Sequence, residues 1–247
     1  IRDRTVSRGL GDVYKRQRIA SLKMPALETV SVGIYADVGT RFEDTGQIGI
    51  SHMFEHMVFK GTEKRNARMI AEEIEAVGGH LNAYTTRDMT AYYARVLKED
   101  LGLAVDLLSD LLTNAAFLPE EVRREKEVIC QEIGQANDTP DDIVFDQLQN
   151  VAFKDQPLGF SILGTNESVR SLTKTDLQDY RRRFYHGGSL VLTAAGNVDH
   201  DHLVRLAEGS LSSLPPRDTI VPQEARYSGG EYRDVRDLEQ AHLCFAL

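Results

Sequence analysis

The chain has 247 residues, of which 41% are hydrophobic and 27% are charged, and its formal net charge is −9 at pH 7. This composition is typical of a globular protein and excludes a disordered or fibrous chain. The negative charge disfavours nucleic acid and anionic membranes as partners, and no apolar run reaches the roughly eighteen residues needed for membrane insertion. The two cysteines, Cys130 and Cys244, lack the C-x-x-C spacing of a disulfide framework or a thiolate metal site.

The first stretch of the chain shows no sustained hydrophobic period, and we expect residues 1–18 to be a non-native or disordered leader. A regular pattern begins at Thr29, after which alternate residues from Val30 to Val38 are apolar. Strict alternation predicts a strand with one buried face. A loop containing Gly39 and Gly46 then leads to the segment that organises the rest of the chain.

That segment runs from Gly49 to Met57 and carries His52, Glu55 and His56. On a helix these three side chains share one face, so both imidazoles can reach a single ion. Two neutral imidazoles suit zinc, and a neighbouring carboxylate can accept a proton from water, as in the inverted zinc-protease motif H-x-x-E-H. The simpler interpretation is a chance grouping on a surface helix. The apolar residues around the three argue against it, because they predict a partly enclosed helix.

The elements that follow are a helix over residues 69–77, two strands over 80–85 and 90–97, and a helix over 101–112. The turn at Arg87 and Asp88 joins the two strands, which predicts an antiparallel pair. His80 on the first strand is the tempting further ligand, but a polar strand residue is the favoured interpretation.

The third zinc ligand has to come from elsewhere in the chain, and the best source is the helix predicted for residues 119–136. This helix opens with proline and acidic residues, as helix N-termini commonly do. Spacing alone does not select Glu132 from the acidic residues around it. Glu125 lies two helical turns before Glu132 on the same face, where it can brace the site.

The remainder of the chain alternates helices with one strand. Helices are predicted over residues 141–151, 173–185 and 199–211, and a buried strand over 189–195. Thr173 and Asp176 form a capping pair at the start of the second helix. The Pro215-Pro216 pair marks a domain end, and Glu239–Leu247 has the pattern of a further strand.

Three runs of sequence, HMFEHMVFKGT, EIEAVGGHLNAYTTRD and EKEVICQEI, resemble the M16 family of zinc peptidases, and within it the pitrilysin and mitochondrial processing peptidase group. The similarity extends from about residue 28 to residue 214. It implies that His52, His56 and Glu132 bind one Zn²⁺ per chain, that Glu55 is the general base and that Glu125 is a supporting carboxylate.

The resemblance also implies where a peptide substrate binds. Asn82 and Ala83 correspond to an edge strand beside the zinc, onto which substrate adds as a further strand. Asp142 and Asp146 correspond to acidic residues that hold an arginine of the substrate presequence in the processing-peptidase branch. For this pair, a solvated helix face is an equally good interpretation.

The order of hairpin and helix signals predicts an α+β fold, with a largely antiparallel sheet covered by helices on one side. The resemblance implies the processing-peptidase/LuxS-like metallohydrolase fold. We expect residues 19–214 to form the zinc-binding catalytic domain, 215–230 a linker, and 231–247 the truncated start of a second, similar domain. In the full-length chain that second M16 domain is an expected partner, and the protein is expected to form a homodimer or heterodimer.

The expected function is that of a zinc-dependent endopeptidase acting on extended peptides or presequences, although this chain alone is expected to have little or no activity. The alternative is a non-catalytic partner or core subunit of an M16-type heterodimer. The intact metal motif favours the active type. The bacterial cytoplasm or periplasm is the expected location, and the mitochondrial matrix is the alternative.

Overall fold

The computed structural model describes residues 7–14, 17–216 and 220–246. Within these ranges the chain forms one six-stranded sheet and eight α-helices. The strands are β1 (Ser7–Tyr14), β2 (Gln17–Lys23), β3 (Thr29–Ala36), β4 (His80–Thr85), β5 (Thr90–Leu97) and β6 (Leu190–Gly196). The helices are α1 (Ile50–Val58), α2 (Ala67–Ala76), α3 (Leu101–Asn114), α4 (Pro119–Asn137), α5 (Pro140–Ala152), α6 (Asn166–Ser171), α7 (Lys174–Phe184) and α8 (His200–Leu211).

The strands lie in the order β1-β2-β6-β3-β5-β4, so β1 and β4 form the two edges of the sheet. Four of the five neighbouring pairs are antiparallel, and only β2 and β6 run parallel. The predicted α+β fold with a largely antiparallel sheet is therefore confirmed.

The two faces of the sheet differ in their cover. On one face, Val30, Val32 and Ile34 of β3 are at most 1% exposed beneath the helices. On the other face, Tyr35 and Tyr93 are only half-buried and border an open cavity of about 570 Å³. The helices accordingly pack on one side of the sheet, as the alternation of apolar residues in β3 predicts.

Helix α1 is anchored through its apolar face. The ring of Phe54 is fully buried, and its centroid lies 4.5 Å from that of Tyr185, 5.3 Å from that of Tyr180 and 5.6 Å from that of Phe117. Burying a side chain of this size contributes about 1.5–3 kcal/mol to stability. This packing leaves His52, Glu55 and His56 on the opposite face of the helix.

Side-chain caps mark the starts of α7 and α2. The predicted capping pair Thr173 and Asp176 forms at the start of α7, with each side chain bonded to the other's main chain. Asn66 caps α2, which therefore begins two residues before the predicted start at Met69. The short helix α6 was not predicted from the sequence.

The start of the chain differs from expectation. Residues 7–14 form β1 and residues 17–23 form β2, so these residues are not disordered where a non-native or disordered leader was expected over 1–18. That the stretch is non-native stays a prediction. Strand pairing uses main-chain N–H and C=O groups, so an edge strand does not require a hydrophobic period in its sequence. Residues 1–6 and 15–16 of the expected leader lie outside the described residues.

The end of the chain differs as well. Residues 220–246 contain no helix or strand, so the strand predicted over Glu239–Leu247 is wrong for residues 239–246, and Leu247 lies outside the described residues. Leu243 and Phe245 are 75% and 81% exposed, because this segment has no neighbouring strand to pair with among the described residues. Residues 226–228, within the expected linker, instead bind the end of α5, where the Ser228 N–H donates to the Ala152 carbonyl at 2.8 Å.

Among the described residues, none of the helices combines the length and the apolar character required to cross a bilayer.

Candidate metal centre

Three side chains on two helices come together beside the sheet edge. His52 and His56 extend from α1, and Glu132 extends from α4, which packs across α1. The Glu132 Oε2 atom lies 3.8 Å from His52 Nε2 and 3.7 Å from His56 Nε2. One candidate ligand atom from each residue lies within 4.8 Å of the other two.

This donor set suits zinc. Ligand atoms about 2.0–2.1 Å from a tetrahedral zinc ion lie roughly 3.3 Å from one another. The distances from Glu132 to the two histidines are slightly longer, so small side-chain movements bring all three onto one ion. Three protein ligands leave the fourth position open, as in catalytic zinc sites.

Burial prepares His52 to act as a ligand. Desolvation, together with the neighbouring His56, lowers the pKa of His52 to about 4, so its imidazole is neutral near pH 7. A neutral imidazole has the lone pair that a metal requires. The Nδ1 atom of His52 is buried and has no hydrogen-bond partner among the described residues.

A carboxylate orients His56 from behind. The Oε2 atom of Glu125 lies 3.1 Å from His56 Nδ1, and its Oε1 atom lies 2.8 Å from Lys60 Nζ. Glu125 is 4% exposed, and Lys60 supplies its counter-charge. A proton held between Glu125 and His56 Nδ1 leaves the His56 Nε2 lone pair directed toward Glu132. Glu125 therefore contacts a ligand of the site and not the metal position.

Glu55 lies on the same helix face but turns toward the sheet. Its Oε2 atom accepts a hydrogen bond of 2.5 Å from the Thr85 hydroxyl at the end of β4. Burial raises the pKa of Glu55, while the bond from Thr85 opposes that rise. Glu55 is thus a partly buried carboxylate with raised basicity, held beside the two histidines.

Edge strand β4 presents the two residues implied as substrate contacts. Asn82 is exposed, and its Oδ1 atom accepts a bond of 2.8 Å from the Ala83 N–H. Since β4 pairs only with β5, its other side is free of strands among the described residues. Ala83 and Thr85 lie on the side of β4 that faces α1.

The two aspartates on α5 have different surroundings. Asp146 binds Arg87 Nη2 at 2.8 Å through Oδ1 and the Ser161 hydroxyl at 2.9 Å through Oδ2. Asp142 is exposed, and its carboxylate has no partner among the described residues. Only one carboxylate of the pair is therefore free to receive a ligand.

These elements enclose a cleft of about 410 Å³ that opens beside the metal position. One wall is acidic, from Asp142 and Asp146, and another is apolar, from Ile143, Ile162 and Leu163. His52 and Glu55 line the cleft on one side, and Ala83, Tyr84 and Thr85 of β4 line it on another. The cleft can accept an extended chain that runs along β4.

Sequence reasoning did not identify Glu43, Lys60, Thr85 or Arg87 as parts of this region. Strand alternation indicates which side of β4 Thr85 occupies. Lys60 follows His56 by one turn of helical spacing. Glu43 and Arg87 have no short-range signal, because their contacts depend on how separate loops pack.

Comparison with known proteins shows the family of the chain. Residues 18–166 match the family model described as Insulinase (Peptidase family M16), and residues 171–247 match the model described as Peptidase M16 inactive domain. The boundary between the two matches falls within one structural unit, because β6 lies beyond it and pairs with both β2 and β3.

Individual relatives agree with the family match. An uncharacterized zinc protease of Rickettsia bellii is 42% identical over 225 residues, which cover 91% of this chain and 55% of the relative. Mitochondrial-processing peptidase subunit beta of Saccharomyces cerevisiae is 43% identical over 204 residues, with coverages of 83% and 44%. The crystal structure of a protease from Helicobacter pylori has the same fold, with a TM-score of 0.81 at 20% identity, and the match covers 90% of this chain and 54% of that chain. The chain spans about half the length of the curated relatives it matches.

Proposed function

The chain belongs to peptidase family M16, and we propose that it supplies the metal centre of a zinc-dependent endopeptidase. The observation that best supports this proposal is the convergence of His52, His56 and Glu132, with Glu55 beside them. The names of its relatives in Rickettsia, which include zinc proteases, agree with the choice of metal. We propose a stoichiometry of one zinc ion per chain.

The side chains of the site have separate tasks in peptide hydrolysis. Zinc, when bound by His52, His56 and Glu132, supplies Lewis acidity. Glu55 accepts the proton of the attacking water and delivers it to the leaving amine. Its raised pKa suits both tasks, since a base must hold the proton before releasing it. Thr85 holds the Glu55 carboxylate in place, and Glu125 orients His56.

Edge strand β4 is the proposed binding line for the substrate backbone. A peptide that adds as a further strand forms main-chain hydrogen bonds, which accept many sequences. When a substrate binds, the Ala83 N–H exchanges its hydrogen bond to the Asn82 side chain for one to the substrate backbone. Asn82 and Ala83 are thus proposed substrate contacts.

A basic side chain of the substrate is proposed to bind Asp142. Its carboxylate is exposed at the cleft, whereas both oxygens of Asp146 already hold Arg87 and Ser161. Asp142→Asn should raise KM for an arginine-containing peptide and leave KM for its neutral analogue unchanged. Equal effects on both peptides would contradict direct binding of the cation.

The complete protein is proposed to contain or recruit a second M16 domain, within a homodimer or heterodimer. Several relatives are named as beta subunits of the mitochondrial-processing peptidase, and the chain spans only about half of their length. A non-catalytic partner subunit is the second candidate, favoured by the match of residues 171–247 to a domain described as inactive. Zinc binding without any hydrolysis by the full-length protein would support that candidate.

The first experiment measures zinc per folded chain after removal and readdition of the metal. Wild type should retain about one zinc ion, and Glu132→Ala should retain markedly less. Glu127→Ala, which removes an exposed carboxylate from the same helix, is the matched control and should equal wild type. A folded wild-type chain that binds no zinc would overturn the proposal.

A further inference from the structure

The metal-bearing helix begins without a cap from its own N-cap residue. Gly49 occupies the N-cap position of α1 with a φ of +90° and offers no side chain. The carboxylate of Glu43 takes over this role from the preceding loop. It accepts the Gly49 N–H through Oε2 and the Ser51 N–H through Oε1, each at 2.8 Å. Both oxygens of one side chain are therefore used to hold the first turn of α1.

This carboxylate lies deep in the protein. Glu43 is 3% exposed, and no ion pair involves it within the described part of the chain. Burial raises its pKa to about 7, and its hydrogen bonds to Ser51 and Gly49 act against that rise. A buried carboxylate without a counter-charge costs stability, so its contribution has to be sought elsewhere.

A residue of a second helix, α7, also contacts the start of α1. The Tyr180 hydroxyl on α7 donates to Ser51 Oγ at 2.9 Å, and Ser51 itself is fully buried. The Tyr180 ring also packs against Phe54 on the apolar side of α1. Ser51 in the first turn of α1 is thus held by Glu43 and Tyr180 together, and Tyr180 also packs on Phe54 in the next turn.

The loop that carries Glu43 is also tied to the β4–β5 turn. The Thr40 N–H donates to the Thr86 carbonyl at 3.2 Å, and the Arg41 N–H donates to the Arg87 carbonyl at 3.0 Å. Arg41 pairs with Asp88 at 2.7 Å. One short loop therefore connects the strand that carries Thr85 to the helix that carries Glu55.

We propose that Glu43 is a positioning residue of the metal centre. By holding the N–H groups of Gly49 and Ser51, it sets the position of α1 relative to α4 and β4. That position brings His52 and His56 to Glu132, and Glu55 to Thr85. This inference rests on the proposed zinc site. Positioning matters there because reactive groups have to be held within about 1 Å of their working geometry.

Glu43→Gln is the informative variant. It keeps the size of the side chain, but its amide NH₂ faces an N–H donor where an oxygen accepted one, so one of the two bonds is lost. Asp110→Asn is the matched control. Asp110 is also a buried carboxylate, 2% exposed, bonded to Thr62 and Asn114 at 2.7 Å and to Arg65 at 2.9 Å. It contacts no residue of the metal centre.

Two measurements on the 247-residue chain separate positioning from general stability. Hydrogen exchange of the metal-free chain should be faster over residues 49–58 in Glu43→Gln than in wild type or Asp110→Asn. Zinc affinity, from competition with a chelator, should fall by about 10- to 100-fold in Glu43→Gln and remain at the wild-type value in Asp110→Asn. The visible spectrum of the Co²⁺-substituted chain should change in Glu43→Gln alone.

The possible outcomes are distinguishable. If Glu43→Gln retains wild-type zinc affinity and wild-type exchange over residues 49–58, the positioning role is overturned while the zinc site stands. If neither wild type nor Asp110→Asn binds zinc, the metal centre itself fails, and the role of Glu43 fails with it. If Glu43→Gln does not fold, Glu43→Asp carries the test, since it keeps the charge but is one methylene too short to hold both N–H groups.

Discussion

Glu55 is the residue on which hydrolysis should depend most directly. Glu55→Gln removes the proton acceptor while keeping the size of the side chain and all three proposed zinc ligands. We expect zinc content to stay at the wild-type value and the turnover of an extended peptide by the full-length protein to fall by about 10²- to 10⁴-fold. Metal analysis and peptide hydrolysis on the same sample provide the measurement.

A second substitution tests Thr85, which donates a hydrogen bond to Glu55. Thr85→Val keeps the shape of the side chain and removes the hydroxyl that donates to Glu55. It should retain zinc and lower kcat more than it raises KM. Wild-type turnover by Glu55→Gln would show that another group accepts the proton.

Titration of Glu43 should make the free energy of unfolding depend on pH. Its pKa is about 7 in the folded protein against an ordinary value of 4.5. A raised carboxyl pKa means that the folded state holds the proton more tightly, so the contribution to stability is present below 4.5 and is lost as pH rises through 7. The free energy of unfolding of metal-free wild type, minus that of Glu43→Gln, should fall by up to about 3 kcal/mol across this range.

Denaturant unfolding at a series of pH values measures this difference. Asp110→Asn is again the control, because its hydrogen bonds and Arg65 lower the pKa of Asp110 below 3.8, outside this range. Its difference from wild type should therefore be constant between about pH 5 and pH 8. A constant difference for Glu43→Gln as well would contradict the raised pKa.

At the residue scale, the sequence allows prediction of relative positions where the geometry is local. His52, Glu55 and His56 share a face because they belong to one helix, and their spacing shows it directly. Glu132 was placed only by resemblance to a family, since nothing in the spacing separates it from its acidic neighbours. Glu43 was missed entirely, because a buried carboxylate that caps a helix six residues away leaves no periodic pattern.

At the scale of elements, two glycines allow the loop that carries Ile162 and Leu163 of the cleft to lie against the start of α1. Gly49 and Gly164 have φ values of +90° and +78°. A Cβ atom at Gly164 would lie 2.6 Å from the Ile48 carbonyl oxygen and 3.0 Å from the Gly49 Cα atom. This close approach places Leu163, which lines the cleft, beside the metal-bearing helix.

Gly164→Ala should therefore destabilise the chain by about 1–3 kcal/mol, from backbone strain together with steric overlap. Chemical denaturation measures the effect. Gly209→Ala is the control, since an added Cβ there, on the exposed side of α8, would meet nothing within 4 Å. It should stabilise the chain by about 0.5–1 kcal/mol. Equal stabilities of the two variants would show that the loop can move away from α1.

Elements with strong periodicity were predicted closely, whereas the expectations for the two ends of the chain were not met. Strands β4 and β5 have the bounds expected from their alternation, and α5 begins one residue before its predicted start. β1 was missed because an edge strand can form through its backbone alone. The strand expected over Glu239–Leu247 has a suitable pattern but no partner among the described residues, and residues 239–246 do not form it.

At the scale of the whole molecule, the centre of the sheet is completed by a late part of the chain. β6 lies between β2 and β3, where Leu190 and Leu192 are 2% exposed. A chain restricted to residues 18–166, the extent of the first family match, contains His52, His56 and Glu132 but lacks β6. It also lacks β1, so β2 would have no partner strand and the sheet would be reduced to β3, β5 and β4.

We expect that shorter chain to lack cooperative unfolding and to bind zinc far more weakly than wild type, despite its complete set of ligands. A chain that ends at residue 216 keeps every strand and should match wild type in both respects. Circular dichroism during denaturation and zinc titration provide the comparison. Tight zinc binding by residues 18–166 would show that α1 and α4 assemble without the central strand.

The place of β6 in the sheet also determines when the protein can fold during synthesis. β2 and β3 leave the ribosome well before their common neighbour, because β3 ends at Ala36 and β6 begins only at Leu190. Contacts so distant in sequence form slowly, and until then both strands have unpaired edges that invite aggregation. We therefore expect the nascent chain to depend on chaperones over this interval, and zinc to be captured only after β6 has left the ribosome.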